Sequence, residues 1–234
     1  MHSEAEARRL RAVYREYMPQ VAARWAPDNP GNQVILAELE RGIAGLLASR
    51  GLVPLGGRST LDLGCGYGHF LGFLRSLGAD PKNVHGVDLL EERLVHARAA
   101  NPGVDIRVAN AEALPFPDRS FDVVLLFSVL TSILDLDVRA RVARETARVL
   151  APHGVIVWYD FRFDHPTNPN VRGIGRREIG RLFPGFDVSL RTTTLLPPVA
   201  RRLGPMTPRL YPLFARVPAL RSHHFGTLER RDGP

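Results

Sequence analysis

One cysteine and one lysine, Cys65 and Lys82, are all that a chain of 234 residues contains of either type. A single thiol excludes an intrachain disulfide and a cysteine-built metal cluster, and no metal site is expected. Cys65 reads as a small side chain filling a tight turn rather than as a reactive thiol. Long apolar runs are also missing, and the longest fall far short of the ~18 residues a membrane-spanning helix needs. The first residues, Met1 to Glu6, are polar and acidic with no apolar signal region, so the expectation is a cytoplasmic enzyme. No internal repeat or low-complexity tract is visible.

Because lysine is nearly absent, the net charge of +7 comes almost wholly from arginine. A calculated isoelectric point of about 10.4 suits nucleic acid, a membrane surface or an anionic substrate alike. Where the arginines fall therefore says more than their total. A hydrophobic content of 44% and a charged content of 24% are ordinary for a soluble globular protein. The length fits one α/β domain with a substantial core.

What is present centres on Ser59–Phe70. A short apolar run ends in Asp62, three glycines follow at alternate positions (Gly64, Gly66, Gly68), and a helical apolar pattern starts at Phe70. This reads as a buried strand, a tight turn and the first turn of a helix. Without Cβ atoms, the turn can take positive φ and let a ligand approach the backbone. A second short strand, Val84–Val87, ends in Asp88, where an α/β nucleotide site holds ribose hydroxyls. A dinucleotide fingerprint would need a third glycine at position 69, which is His69, so that reading fails.

The run Asp62-x-Gly64-x-Gly66-x-Gly68 resembles the first motif of class I S-adenosylmethionine-dependent methyltransferases. The resemblance covers roughly residues 58–160. It implies a Rossmann-like seven-stranded sheet, mostly parallel with an antiparallel last strand and helices on both faces. It also implies S-adenosylmethionine as cofactor. Asp62 would hold the methionine ammonium, Gly64, Cys65, Gly66 and Gly68 would line the close approach, and Asp88 would take the ribose hydroxyls. Leu89 would touch the adenine face, while Asn110, Ala111 and Glu112 stand where the family reads adenine. Asn110 replaces the Asp frequent there. The carbonyl of Phe127 would face the ammonium.

Taken in order, residues 3–18 read as an amphipathic helix with Leu10, Val13, Tyr14 and Tyr17 on one face, broken off by Pro19, Pro27 and Pro30. A second helix runs from about Gln33 to Arg50. Further helices are expected over Glu91–Ala100, Val138–Leu150 and Arg176–Phe183. Strands are expected over Asp105–Val108, Asp122–Phe127, Val155–Tyr159, Asp187–Thr194 and Ser222–Arg230. Alternation of strand and helix argues for right-handed crossovers and a parallel sheet. The expected divisions are 1–52, a helical cap; 53–194, the cofactor-binding core; 195–221, an acceptor-side insertion; and 222–234, the last strand and tail. The insertion is rich in proline, and proline inside a run excludes a central strand.

Candidate bases are His69, Tyr159, Asp160 and His165, the last on the loop after the fifth strand. Methyl transfer is a displacement at carbon in which positioning does much of the work, so a base is not obligatory. Tyr17 and Trp25 on the cap, with Arg162 and Arg172 after the fifth strand, are the candidates for touching the acceptor. The two arginines suit a carboxylate or phosphate on it. His223 and His224 read as structural. Strand four leads into Phe127-Ser128-Val129-Leu130, not the Asn/Asp-Pro-Pro-Tyr/Phe run of amino-directed nucleic-acid methyltransferases. The lone cysteine also excludes a covalent cytosine-5 mechanism.

These features favour a small or lipid- or glycan-linked acceptor, methylated at oxygen, and disfavour nucleic acid. The segments Tyr159–Arg162, Val171–Ile174 and Leu220–Gly226 look like parts of bacterial enzymes of glycan or secondary metabolism. Two alternatives stay open: an RNA methyltransferase, favoured by the basic charge, and a cofactor-binding regulatory protein without turnover. Peripheral membrane contact through the proline- and arginine-rich insertion is a further expectation. A monomer or a homodimer fits equally.

Overall fold

The structure, a computed structural model, describes residues 2–24, 26 and 28–231, the side chains of 2, 3 and 17–24 excepted. Seven strands form one sheet: β1 (Thr60–Leu63), β2 (Val84–Asp88), β3 (Asp105–Val108), β4 (Phe121–Phe127), β5 (Leu150–Phe161), β6 (Phe186–Leu195) and β7 (Arg221–Arg230). Their order is β3-β2-β1-β4-β5-β7-β6. The pairs among β1 to β5 are parallel. Strand β7 runs antiparallel to both β5 and β6, so it alone opposes the other six. The order reverses between β1 and β4, which makes their carboxyl ends the switch point where open α/β sheets bind ligands.

Central β4 is apolar on successive residues because both of its faces are covered, and Val123 to Leu126 are fully buried. One face packs on α2 (Pro30–Ala48), α3 (His69–Ser76) and α4 (Glu91–Ala100), through Ile35, Ile43, Leu71, Leu74 and Leu94. The other packs on α5 (Leu136–Val149) and α6 (Arg176–Leu182), through Val138, Val142, Ile179 and Phe183. Helices α2 and α5 start where side chains satisfy orphan amides: Asn29 accepts from Gly31 and Asn32, and Asp135 accepts from Asp137 and Val138.

Three details depart from the sequence reading. Helix α1 spans His2–Arg24 and continues past Pro19. Proline removes one backbone donor but keeps a helical φ, so a helix can carry on through it at a cost. Strand β5 begins at Leu150, directly after α5, with a register shift opposite Phe121 and Val123. The insertion between β6 and β7 holds two short helices, α7 (Pro197–Arg202) and α8 (Thr207–Phe214), each with proline in its first turn. No described helix is long and apolar enough to cross a membrane.

Candidate active site

The turn after β1 is fixed from both sides. Gly64 and Cys65 donate their amides to the Val87 carbonyl at 2.8 and 3.0 Å. Gly64 has φ +80°, and a Cβ there would sit 2.6 Å from Val129 Cγ2. At Gly68, φ is +79° and a Cβ would meet Asn101 Nδ2 at 2.7 Å and Ala97 Cβ at 2.9 Å. Only glycine meets both demands at these two positions. Cys65 is buried, with Gly86 leaving space for its sulfur, and burial followed by the charges of Asp62 and Asp88 pushes its thiol pKa up. It fills space and is not activated.

Asp88 closes β2 and binds the same turn. Its Oδ2 accepts the Gly66 amide at 3.0 Å and its Oδ1 the Leu90 amide at 2.9 Å. Asp62 is only 2% exposed, and its Oδ2 is buried with no hydrogen-bond partner among the described residues. Burial first, and the neighbouring Asp88 second, push its pKa up to about 7. A buried carboxylate oxygen without a partner is costly, so a cation placed against it would be held strongly.

A cavity of about 260 Å³ opens beside Asp88 at the switch point, and Asp62 is not among the residues that line it. Its walls include Gly64, Asp88, Leu89 and Phe127, together with Asn110, Ala111 and Glu112. Asn110 and Glu112 form a closed turn, in which Asn110 Oδ1 accepts the Glu112 amide at 3.1 Å. Glu112 is also paired to Arg141 at 2.6 Å. The structure thus gathers these seven of the expected cofactor residues around one space, with Asp62, Cys65, Gly66 and Gly68 in the strand and turn behind it.

Helix α1, part of the expected helical cap, supplies a further wall of the cavity. Glu6, Ala7, Leu10 and Tyr14 line the cavity. Glu6 accepts the Leu134 amide at 2.7 Å and Arg9 donates to the Ser132 carbonyl at 2.6 Å. Tyr14 meets Ser132 Oγ at 2.9 Å. From α4, Arg93 places its guanidinium 4.2 Å from the Tyr14 ring centroid and 4.0 Å from Asp88. The spacing of Ala7, Leu10 and Tyr14 marks a shared helix face, but nothing in it says what that face covers.

None of the proposed bases lines this cavity. Tyr159 is buried, donates to Thr194 Oγ1 at 3.2 Å, and has its pKa raised by burial first. Asp160 is 1% exposed and accepts from the Thr131 hydroxyl, the Thr131 amide and the Phe161 amide. Burial nevertheless pushes its pKa up to about 6. His165 sits in the loop after β5, where its Nδ1 accepts the Thr167 amide at 3.3 Å. His69, the first residue of α3, contacts Glu40 at 2.9 Å. Arg162 has a buried Nε without a partner among the described residues, and Arg172 is exposed while its carbonyl accepts from Arg139. Trp25 and the side chain of Tyr17 lie outside the described residues.

A chain of ring contacts runs from the cavity wall. Phe127 meets Tyr159 edge-on at 5.8 Å, and Tyr159 stacks on His223 at 4.3 Å. Ser222 donates its hydroxyl proton to the Thr194 carbonyl, so in its 2.8 Å contact with His223 the ring Nδ1 carries the proton. Burial holds the His223 pKa down at about 3, and the ring stays neutral. Among the described residues no group of three side chains suits a metal ion.

Residues 61–158 match the family model described as a methyltransferase domain. A probable S-adenosylmethionine-dependent methyltransferase of Mycolicibacterium smegmatis is 34% identical over 142 residues, 56% of this chain and 53% of that protein. The 27-O-demethylrifamycin SV methyltransferase of Amycolatopsis mediterranei is 39% identical over 139 residues, 56% of this chain and 49% of its own length. The phthiotriol/phenolphthiotriol dimycocerosates methyltransferase of Mycobacterium tuberculosis is 39% identical over 113 residues, 47% and 40% of the two chains. The chain therefore spans about half the length of curated relatives it matches. A solved S-adenosylmethionine-dependent methyltransferase from Mesorhizobium loti superposes with a TM-score of 0.59 at 23% identity, covering 82% of this chain and all of that one, which shows the shared fold.

Proposed function

We propose that this chain, whose residues 61–158 match a methyltransferase domain, is a class I S-adenosylmethionine-dependent enzyme that methylates a small or lipid- or glycan-linked metabolite at oxygen. The observation that carries the reading is the buried, unpartnered Oδ2 of Asp62 beside a turn that tolerates no Cβ. Those residues fit the cofactor: Asp62 for its ammonium, Gly64 for close passage, Asp88 and the Asn110–Glu112 turn for its nucleoside end. When bound, the cofactor supplies an electrophilic methyl group on a sulfonium.

Each other part of the task falls to the chain. Asp88 can accept from ribose hydroxyls while its two amide contacts keep the turn in place, since each carboxylate oxygen has a second lone pair. Leu10 and Tyr14 on α1 cover the cavity and exclude water. Tyr159 and Asp160 are engaged in internal hydrogen bonds, which favours a reaction resting on positioning, worth roughly 7–11 kcal/mol, over strong base catalysis. Arg162 and Arg172, Tyr17 and Trp25, and the loop carrying His165 remain the acceptor-side candidates. Two matched relatives support the substrate class, one named for 27-O-demethylrifamycin SV and one for phthiotriol and phenolphthiotriol dimycocerosates.

The test is calorimetric titration with S-adenosylmethionine and S-adenosylhomocysteine, followed by methylation of hydroxylated metabolites with labelled cofactor. Saturable binding of both, weakened in Asp62→Asn, is the expected outcome. Absence of binding would end the reading. Binding with label transferred only to nitrogen or carbon would end its oxygen clause.

A further inference from the structure

Half of the large apolar side chains that stand exposed among the described residues lie in one short span. They are Met206, Leu213, Phe214 and Val217, at 57%, 54%, 39% and 45% exposure, against four others scattered over the rest of the molecule. All four belong to the insertion between β6 and β7. Leu213 and Phe214 lie on α8, with Met206 just before it and Val217 beyond its end, and they are not packing residues turned out by accident. Thr207 and Tyr211 form the buried side, while Met206, Arg209, Leu213 and Arg216 follow at spacings of three and four on the opposite side.

The insertion is anchored firmly, so its exposure is not that of a loose loop. Tyr211 donates to Glu38 of α2 at 2.6 Å and accepts the Leu195 amide at 3.2 Å. Arg201 donates to Asn32 at 2.9 Å, and the Leu196 amide closes the base on the Leu220 carbonyl. Arg221 is spent internally on the Ala215 carbonyl. That leaves Arg202, Arg209 and Arg216, all exposed and without a carboxylate partner among the described residues. The sequence contains no acidic residue between Asp187 and Glu229. Of the α2 acids on this side, Glu38 is held by Tyr211 and Glu40 faces His69.

We propose that this outer face, with Met206, Leu213, Phe214 and Val217 set among Arg202, Arg209 and Arg216, docks on the surface of an anionic lipid bilayer. Apolar side chains that enter the headgroup layer beside unpaired cations are the signature of interfacial binding. The exposed prolines Pro205, Pro208, Pro212 and Pro218 add apolar rings and bring no backbone N–H that would need a partner away from water. Nucleic acid fits less well, because Phe214 is the one exposed aromatic ring of the face and stacking platforms need several. The face sits at the carboxyl end of β6, the same end of the sheet as the cavity. The proposal goes beyond the methyl-transfer reading and does not depend on it.

Co-sedimentation with vesicles of phosphatidylglycerol mixed into phosphatidylcholine tests it, with pure phosphatidylcholine vesicles as the comparison. Binding to the anionic vesicles that weakens as salt rises is expected. Arg209→Gln and Arg216→Gln should each lower partitioning about fivefold. Leu213→Ser combined with Phe214→Ser should lower it on the order of tenfold or more. Thermal melting of each variant checks that it stays folded, as exposed positions should. No binding at low salt, or variants that bind as the parent does, would overturn the proposal. So would a dimer abolished by the same variants in the absence of vesicle binding, which would give the face to a second copy of the chain.

Discussion

The carboxylate of Asp88 accepts the amide of Gly66 at 3.0 Å, so the acid that ends one strand holds the turn that leaves its neighbour. The second oxygen holds the start of α4 through Leu90. One side chain thereby sets the shape of the cavity and supplies acceptors to it. Asp88→Asn keeps the size but turns one acceptor into a donor facing an amide. Stability is expected to fall by about 1–3 kcal/mol, and affinity for S-adenosylmethionine by at least tenfold. Thermal melting and calorimetry measure the two losses separately. A variant that melts as the parent does and binds the cofactor equally would contradict both roles.

The proton on Asp62 should report the cofactor directly. Its pKa in the folded chain is raised from 3.8 to about 7, so it resists ionisation. A carboxyl raised in this way lowers stability as pH climbs through that window, because the unfolded chain ionises first. An ammonium group placed against it reverses the preference, and binding should then release a proton below about pH 7. Titrating S-adenosylmethionine in two buffers of different ionisation enthalpy, about one unit below that pKa, reads the release as a difference in heat. Asp62→Asn should abolish the difference. Equal heats in the parent protein would show that Asp62 does not meet the ammonium.

Gly64 gives a steric test of the same turn. In Gly64→Ala the new methyl meets Val129 Cγ2 at 2.6 Å while φ stays at +80°. A cost of about 1–3 kcal/mol is expected from strain alone, with further loss of cofactor binding as the cavity narrows. Adding Val129→Ala should relieve the contact but not the backbone. The double variant is therefore expected to recover part of the stability. Full recovery would mean that φ carries no penalty there.

His223 and His224 predict an unusual pH profile. Burial lowers both, to about 3 and about 4, with Arg176 and Arg162 adding to the effect at His224. A lowered histidine costs stability as pH falls below its ordinary 6.5, since the unfolded chain takes the proton first. Asp62 and Asp160 act with the opposite sign, losing stability as pH rises from 3.8 toward about 7 and about 6. The two pairs oppose each other across the overlap. His223→Phe keeps a ring against Tyr159 and should therefore shift the balance: relative to the parent, it gains most at the acid end, by up to about 1.4 kcal/mol per pH unit. Denaturant melts across that range would read it, and a constant offset would show that His223 does not titrate as its burial implies.

Much of this site was legible before any coordinates. Alternating glycines after an apolar run ending in Asp62 need positive φ, and they have it at Gly64, Gly66 and Gly68. The seven-stranded, mostly parallel sheet and its antiparallel last strand followed from alternation of strand and helix together with the family resemblance, while the order of the strands came only with the structure. Boundaries slipped where local rules compete. Pro19 stops a helix by propensity yet sits inside α1, and the proline-rich insertion folds as helices because each proline falls in a first turn or is tolerated within one.

The sequence by itself determined the periodicities, the Cβ-free turn and the acids at two strand ends, because these follow from bonding geometry within a few residues. The tertiary structure alone decided which of those groups lack partners. Asp62 is left with a bare oxygen, while Asp160 is surrounded by donors. Ionisation and hydrogen-bond satisfaction depend on whatever arrives from distant parts of the chain, as Ser132 does for Tyr14 and Thr194 for Tyr159. No window of sequence contains both partners of such a pair.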